Sequence, residues 1–198
     1  YDHFATARSL RESSVAELRK EYGITCPINL LFVGRLIPLK RVDVLCEALA
    51  SVDERIGLVV VGHGTEEESL RRRFAARLGN RLRMVGATPA SELPKLYAAC
   101  DVLGLASGAS EAWGLVINEG CAAGLPIICS RHLGASGDLV QDGRSGFVLD
   151  DDRVESWRAA LERIAADPDR LAQMGRASVE IVDDWRARSD PAVCLPKL

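Results

Sequence analysis

Two glutamates, Glu111 and Glu119, stand eight positions apart in the stretch Glu111-Ala112-Trp113-Gly114-Leu115-Val116-Ile117-Asn118-Glu119. The pattern places the first in a loop and the second about six residues into a helix, roughly 9 Å along its axis. A carboxylate accepts hydrogen bonds from hydroxyls, so one acid can read the reacting end of a ligand while the other reads hydroxyls farther along it. Between them lie the backbone N–H groups of Gly114, Leu115 and Val116, which have no partner inside a helix and favour an anion such as a diphosphate. Two hydroxyl-reading acids on either side of an anion site describe a nucleotide sugar. The plainer account is that glutamates at this spacing arise by chance and that an acid near a helix start is favoured by the dipole alone. The context argues for the sharper one: Trp113 stands alone before the helix, and Gly120, Ala122 and Ala123 give it a small face for close packing.

Two other loops hold candidate ligand groups. Gly34, Arg35 and Lys40 follow the apolar run 28–33. A glycine admits close backbone approach, and two cations on one short loop can clamp a phosphate; a solvated loop with surface cations explains the same residues equally well. Gly62-His63-Gly64 closes one apolar run and opens a helix, as phosphate loops do. It lacks the full G-x-G-x-x-G and the Walker lysine, so a tight turn is the simpler reading, with His63 a turn residue.

The elements that must position these groups alternate regularly. Apolar runs at 28–33, 58–61, 81–85, 102–106, 127–129 and 147–149 read as strands buried on both faces. Helical patterns are expected at Val42–Val52, Glu66–Leu78, Glu92–Ala99 and Gly114–Ala123, then at 154–166 and 169–182. Thr65 with Glu68, and Ser91, supply the expected caps. In the first segment Ser14 with Glu17 marks a helix start and Gly23 its stop. Strand then helix, repeated, predicts an α/β fold: a Rossmann-like doubly wound parallel sheet of about six strands. In such a sheet ligands bind beyond the carboxyl ends of the strands, which selects the loops 34–41, 62–65, 86–91, 107–114 and 130–138. The expected organisation is a linker and helix at 1–27, the nucleotide-sugar-binding domain at 28–184, and a tail at 185–198.

Composition bounds the reading. The chain has 198 residues, 47% of them hydrophobic and 27% charged, with a net charge of −3, which excludes disorder and the broad basic field of a non-specific nucleic-acid binder. No run of apolar residues is long enough for a membrane span, and none at the start resembles a signal peptide. The cysteines Cys26, Cys46, Cys100, Cys121, Cys129 and Cys194 fall at irregular spacings without a C-x-x-C pair, so neither zinc nor a redox dithiol is suggested. Mostly set in apolar runs, they point to reduced thiols and a cytoplasmic setting.

The segments GRLIPLK, VVVGHG, EAWGLVINEGCAAGLPIICS, SRHLGASGDLV and QDGRSGFVL, spread over Asn29 to about Gly175, resemble the carboxy-terminal, nucleotide-sugar-binding half of retaining glycosyltransferases of the GT-B fold, specifically family 4. The resemblance implies that Arg35 and Lys40 neutralise the diphosphate, that Glu111 contacts the donor sugar, and that Glu119 holds the ribose. It also implies that the main chain around Val85 borders the base and that Ala112, Trp113, Gly114, Leu115 and Val116 cover sugar and phosphates. Arg41 stands where the family often has glycine, and Ser145 where asparagine is common; neither position touches the charge clamp. Asp150-Asp151-Asp152 contains a D-x-D, which holds a divalent metal in the other major glycosyltransferase fold. Here it precedes the helix near Val154, so capping is expected and no metal.

The implied reaction is metal-independent, retaining transfer of a sugar from a UDP-, GDP- or ADP-sugar, with no cofactor, in glycan synthesis. The expected partners are the donor and an amino-terminal GT-B half that binds the acceptor, without nucleic acid. The chain alone is expected to bind donor weakly and transfer little. Membrane contact, at the inner face, is expected only through the other half. A non-catalytic nucleotide-sugar-binding module and a sugar-nucleotide epimerase of the same fold remain as alternatives. An NAD-dependent oxidoreductase, suggested only by VVVGHG, fails for want of the complete glycine fingerprint with its acid about 20 residues on.

Overall fold

A computed structural model describes residues 2–109, 111–150 and 153–189. Six strands, β1 (Ile28–Val33), β2 (Ile56–Val61), β3 (Leu82–Gly86), β4 (Val102–Leu105), β5 (Ile127–Ser130) and β6 (Gly146–Leu149), form one sheet in the order β3-β2-β1-β4-β5-β6. Every pairing is parallel. This is the expected doubly wound α/β sheet, and its strand order reverses between β1 and β4, where such folds place their ligands. The central strands β1, β2, β4 and β5 are buried almost throughout, which is why their sequences lack polar alternation.

The helices are α1 (Asp2–Tyr22), α2 (Val42–Leu49), α3 (Glu67–Leu78), α4 (Leu93–Ala99), α5 (Leu115–Ala122), α6 (Ala135–Leu139), α7 (Val154–Ala166) and α8 (Asp169–Ser189). α2 packs with α3 and α7, while α1 packs with α4 and α5, and α5 with α6 and α8. The sheet lies between these two groups. Leu30, Leu31, Phe32, Leu58, Leu103 and Ile128 fill its centre, none more than 1% exposed.

Several details differ from the sequence reading. Residues 1–27 include far more helix than linker: α1 runs from Asp2, with a break at Ser14 (φ −144°) where the start had been expected. α1 also belongs to the packed body. The Arg11 guanidinium donates to the carbonyls of Tyr97, Ala98, Cys100 and Gly124, and Arg19 grips both oxygens of Asp101 at 2.8 Å. Asp101 also accepts from the Asn29 N–H, so α1 is tied to the start of both central strands. At the other end, the first residues of the expected tail at 185–198 continue α8 to Ser189, and residues 190–198, with Cys194, lie outside the described residues. The Thr65 and Ser91 caps do not form. α3 and α4 are preceded by Glu66 and Glu92 without a side-chain cap, and α6 appears where a loop was expected. Among the described residues no helix is long and apolar enough to cross a membrane.

Candidate functional site

The first two loops owe their shape to each other. The Gly34 N–H donates to Val61 O and the Leu36 N–H to His63 O, while Leu36 O accepts from the Glu66 N–H. The approach is so close that a Cβ on Gly62 would sit 1.9 Å from Gly34 O, and one on Gly64 2.3 Å from Leu36 O. Both glycines adopt positive φ, +132° and +158°. Gly62 and Gly64 are therefore glycines because two backbones meet there, and exposed His63 contributes its carbonyl.

From this base the first loop continues to a 3-10 turn, Pro38–Lys40. Arg35 is exposed and makes no side-chain hydrogen bond or ion pair among the described residues. Lys40 is different: its Nζ donates to Glu111 Oε1 at 2.5 Å, and the two side chains are only 17% and 15% exposed. The structure thus joins two groups from separate loops, the one expected to meet phosphate and the one expected to meet sugar. Arg41 follows in the left-handed region (φ +48°) as the start of α2. That conformation is cheapest for glycine, so the departure noted from the sequence falls at a position where backbone geometry disfavours a side chain.

The segment 107–118 concentrates unsatisfied polar atoms. Ser107 Oγ, Glu111 Oε2 and Asn118 Nδ2 are buried without a hydrogen-bond partner; among the described residues only Trp157 Nε1, in α7, shares that condition. Each such group costs roughly 1–3 kcal/mol, so three of them in one short segment after β4 set it apart from the rest of the described residues. The Trp113 indole N–H donates to Asn118 Oδ1 at 2.8 Å, and its ring packs on Trp185 of α8, with centroids 5.6 Å apart. Gly114 (φ +85°) turns the chain into α5. The Ile117 N–H folds back to Gly114 O, while those of Gly114, Leu115 and Val116 begin the helix without an intrahelical acceptor. Ala112 and Leu115 are exposed and Val116 is half-buried. The loop after β5 braces the segment from behind, with the Ala135 N–H donating to Trp113 O.

Glu119 sits apart from the Lys40–Glu111 pair. It accepts a 2.7 Å hydrogen bond at Oε2 from the hydroxyl of Tyr97 on α4. Burial pushes the Glu119 carboxyl above its ordinary value, offset in part by the Tyr97 hydroxyl. Burial first, and then the nearby Glu119 charge, raise Tyr97 well above a normal phenol. Val85 lies half-buried on the edge strand β3. Tyr97, Ser107, Asn118 and Trp185 were not singled out from the sequence. Tyr97 lies in the apolar run LYAAC and reads as core, and Trp185 opens the stretch expected as a tail, with no motif around it. Ser107 and Asn118 fall inside stretches already selected, yet nothing in residue type distinguishes a satisfied hydroxyl or amide from an orphaned one.

Of the D-x-D, Asp151 and Asp152 lie outside the described residues. Asp150 pairs with Arg131 instead of capping a helix, and α7 begins after Arg153 without a side-chain cap. Among the described residues no three His, Cys, Asp or Glu side chains gather as a metal site. Ser145, the other departure, accepts the Gln141 N–H at 2.9 Å and so closes its turn. A cavity of about 590 Å³ lies at the opposite, amino end of the strands between α1 and α8, lined in part by Arg11, Pro27, Pro126 and Arg176.

Residues 14–180 match the family described as glycosyl transferases group 1. The chain belongs to this family. Among its relatives, the GDP-mannose-dependent alpha-(1-6)-phosphatidylinositol monomannoside mannosyltransferase of Mycolicibacterium smegmatis is 34% identical over 186 residues, 88% of this chain and 48% of that protein. The D-inositol 3-phosphate glycosyltransferase of Segniliparus rotundus is 34% identical over 192 residues, 91% of this chain and 42% of that one. The group 1 chain therefore spans about half the length of these curated relatives. Its fold is similar to Anabaena Alr3699/HepE in complex with UDP and glucose, with TM-score 0.77 at 25% identity, covering 87% of this chain and 48% of that one. It is equally similar in fold, at 18% identity and TM-score 0.77, to the C-terminal domain of a group 1 family protein (LpcC) from Francisella tularensis, covering 87% of this chain and 92% of that one.

Proposed function

We propose that this chain is the donor-binding, carboxy-terminal half of a GT-B glycosyltransferase of family 4, which moves a sugar from a nucleoside-diphosphate sugar to an acceptor with retention and without a metal or cofactor. The observation that carries the reading is the Lys40–Glu111 pair: a half-buried cation and a carboxylate with one orphaned oxygen, set where the strand order reverses. The relative named as GDP-mannose-dependent and the similar structure holding UDP and glucose support it. In this reading Glu119 takes the ribose, Glu111 the sugar hydroxyls, and the backbone around Val85 the base.

As the bond from the anomeric carbon to the diphosphate oxygen breaks, negative charge grows on the leaving phosphate. Arg35, Lys40 and the N–H groups of Gly114, Leu115 and Val116 stabilise that charge, and a donor of this kind is worth about 10²–10³ in turnover. Glu111 orients the sugar hydroxyls and is not the nucleophile of a double displacement. The acceptor and the closure of the cleft belong to an amino-terminal half, and any membrane contact of the whole enzyme would run through that half. The present chain alone binds donor weakly and transfers little or nothing.

Calorimetric titration with UDP-, GDP- and ADP-sugars, on the wild-type chain and on Glu119→Ala, tests this. Binding of one base class, weakened about tenfold by the substitution, is the expected result. Equal affinities in the two proteins, or no binding of any nucleotide, would overturn the site.

A further inference from the structure

Tyr97 lies wholly inside the protein, and its ring packs edge-on against Phe4 of α1 with centroids 5.2 Å apart at 71°. A phenol held this way has little freedom, and its one polar atom points at one target, Glu119 Oε2, at 2.7 Å. The two residues come from neighbouring crossovers: α4 leads into β4, and α5 leads out of it. Glu119 is half-buried, and its other oxygen, Oε1, makes no hydrogen bond among the described residues. The phenol thus occupies one side of the carboxylate and leaves the other for a ligand.

We propose that Tyr97 is a positioning residue for ribose recognition, locking the Glu119 carboxylate so that its free oxygen meets a vicinal diol. This inference rests on the donor-site reading above, which gives Glu119 the ribose. Because burial keeps the phenol protonated far beyond neutral pH, Tyr97 is a constant donor to the carboxylate. It favours the ionised form of Glu119 against the burial that disfavours it. An ionised, fixed acceptor discriminates between a hydroxyl and its absence much more sharply than a mobile one, because the unpaired carboxylate is left behind when the hydroxyl is missing. Without the Tyr97 hydroxyl, Glu119 keeps its charge site but loses its fixed direction, so ribose recognition weakens while the phosphate contacts stay.

The test is a selectivity ratio on the full chain: the affinity for the nucleoside diphosphate that binds, divided by that for its 2′,3′-dideoxy counterpart, by calorimetry. Wild type is expected to favour the ribonucleotide by about tenfold or more. Tyr97→Phe removes one oxygen and keeps the ring packing on Phe4, and a thermal melt checks that it folds. It should cut the ratio to about twofold while leaving the affinity for the dideoxy compound unchanged. Glu119→Ala should bring the ratio to one, and the double variant should match Glu119→Ala alone. An unchanged ratio in Tyr97→Phe, or an equal loss for both ligands, makes Tyr97 a core residue only and overturns the inference. A ratio untouched by Glu119→Ala overturns the donor-site reading itself.

Discussion

The Nζ of Lys40 and the Oε1 of Glu111 meet at 2.5 Å across 71 positions of sequence. Lys40 is thereby already neutralised before any phosphate arrives, and an incoming diphosphate competes with Glu111 for it. Glu111→Gln should tighten binding of a bare nucleoside diphosphate about three- to tenfold, because it frees the cation and removes a nearby negative charge. The same change should shrink the extra affinity contributed by an attached hexose. Lys40→Met should weaken both ligands by about tenfold or more. Titrating each variant with nucleoside diphosphate and nucleotide sugar reads the two signs; weaker diphosphate binding in Glu111→Gln refutes the competition.

Gly62 faces the carbonyl of Gly34 with no room for a methyl group. Gly62→Ala should cost about 3–5 kcal/mol, combining overpacking against backbone with a strained φ. Gly79→Ala is the control, since its φ is also positive but nothing lies within 4 Å of its Cβ position; about 1 kcal/mol is expected there. Urea unfolding that gave equal losses would show that the contact between the two loops yields easily.

Arg41 holds a left-handed backbone at φ +48°, the one non-glycine residue to do so among those described. Arg41→Gly should raise stability by about 0.5–1 kcal/mol by relieving that conformation, seen as a higher melting temperature. A lower one would mean that the Arg41 side chain contributes more than the strain costs.

Burial pushes the thiols of Cys46, Cys121 and Cys129 up to about 12, from an ordinary value of 9.0. In the unfolded chain they ionise from about pH 9, while the folded protein keeps its protons, so the native state binds more protons across that window. Their stabilising contribution is whole below about pH 9 and is lost as pH rises towards 12, at up to about 1.4 kcal/mol per pH unit for each thiol. Urea midpoints should fall steadily from about pH 9 to about pH 11, and Cys121→Ala should flatten the slope. A flat profile in wild type contradicts the burial of these thiols.

Much of the fold was legible from local pattern. Val154–Ala166 and Ile28–Val33 fall where the apolar spacing puts them, because hydrophobic periodicity and turn residues act over a few positions. Helix caps were less legible: Thr65 and Ser91 have the right chemistry, yet the chain enters α3 and α4 through Glu66 and Glu92. α6 is only five residues long, too short for a period to declare itself. The role of α1 was hidden for another reason. Arg11 and Arg19 look like surface cations on a polar helix, and only packing against α4 brings their guanidinium groups to buried carbonyls and Asp101.

The candidate site divides in the same way. The sequence by itself determined which loops crown the sheet, which helix follows the loop at 107–114, and which residue types these carry: Arg35, Lys40, Glu111, Glu119 and the glycines between them. Tertiary structure decided their partners. It set Lys40 on Glu111 and left Arg35 unpaired, explained Gly62 and Gly64 by the meeting of two backbones, and brought Tyr97 to Glu119. The reason is one of range: propensity and periodicity are written within a few residues, whereas a hydrogen bond across tens of residues depends on how each crossover returns the chain to the sheet.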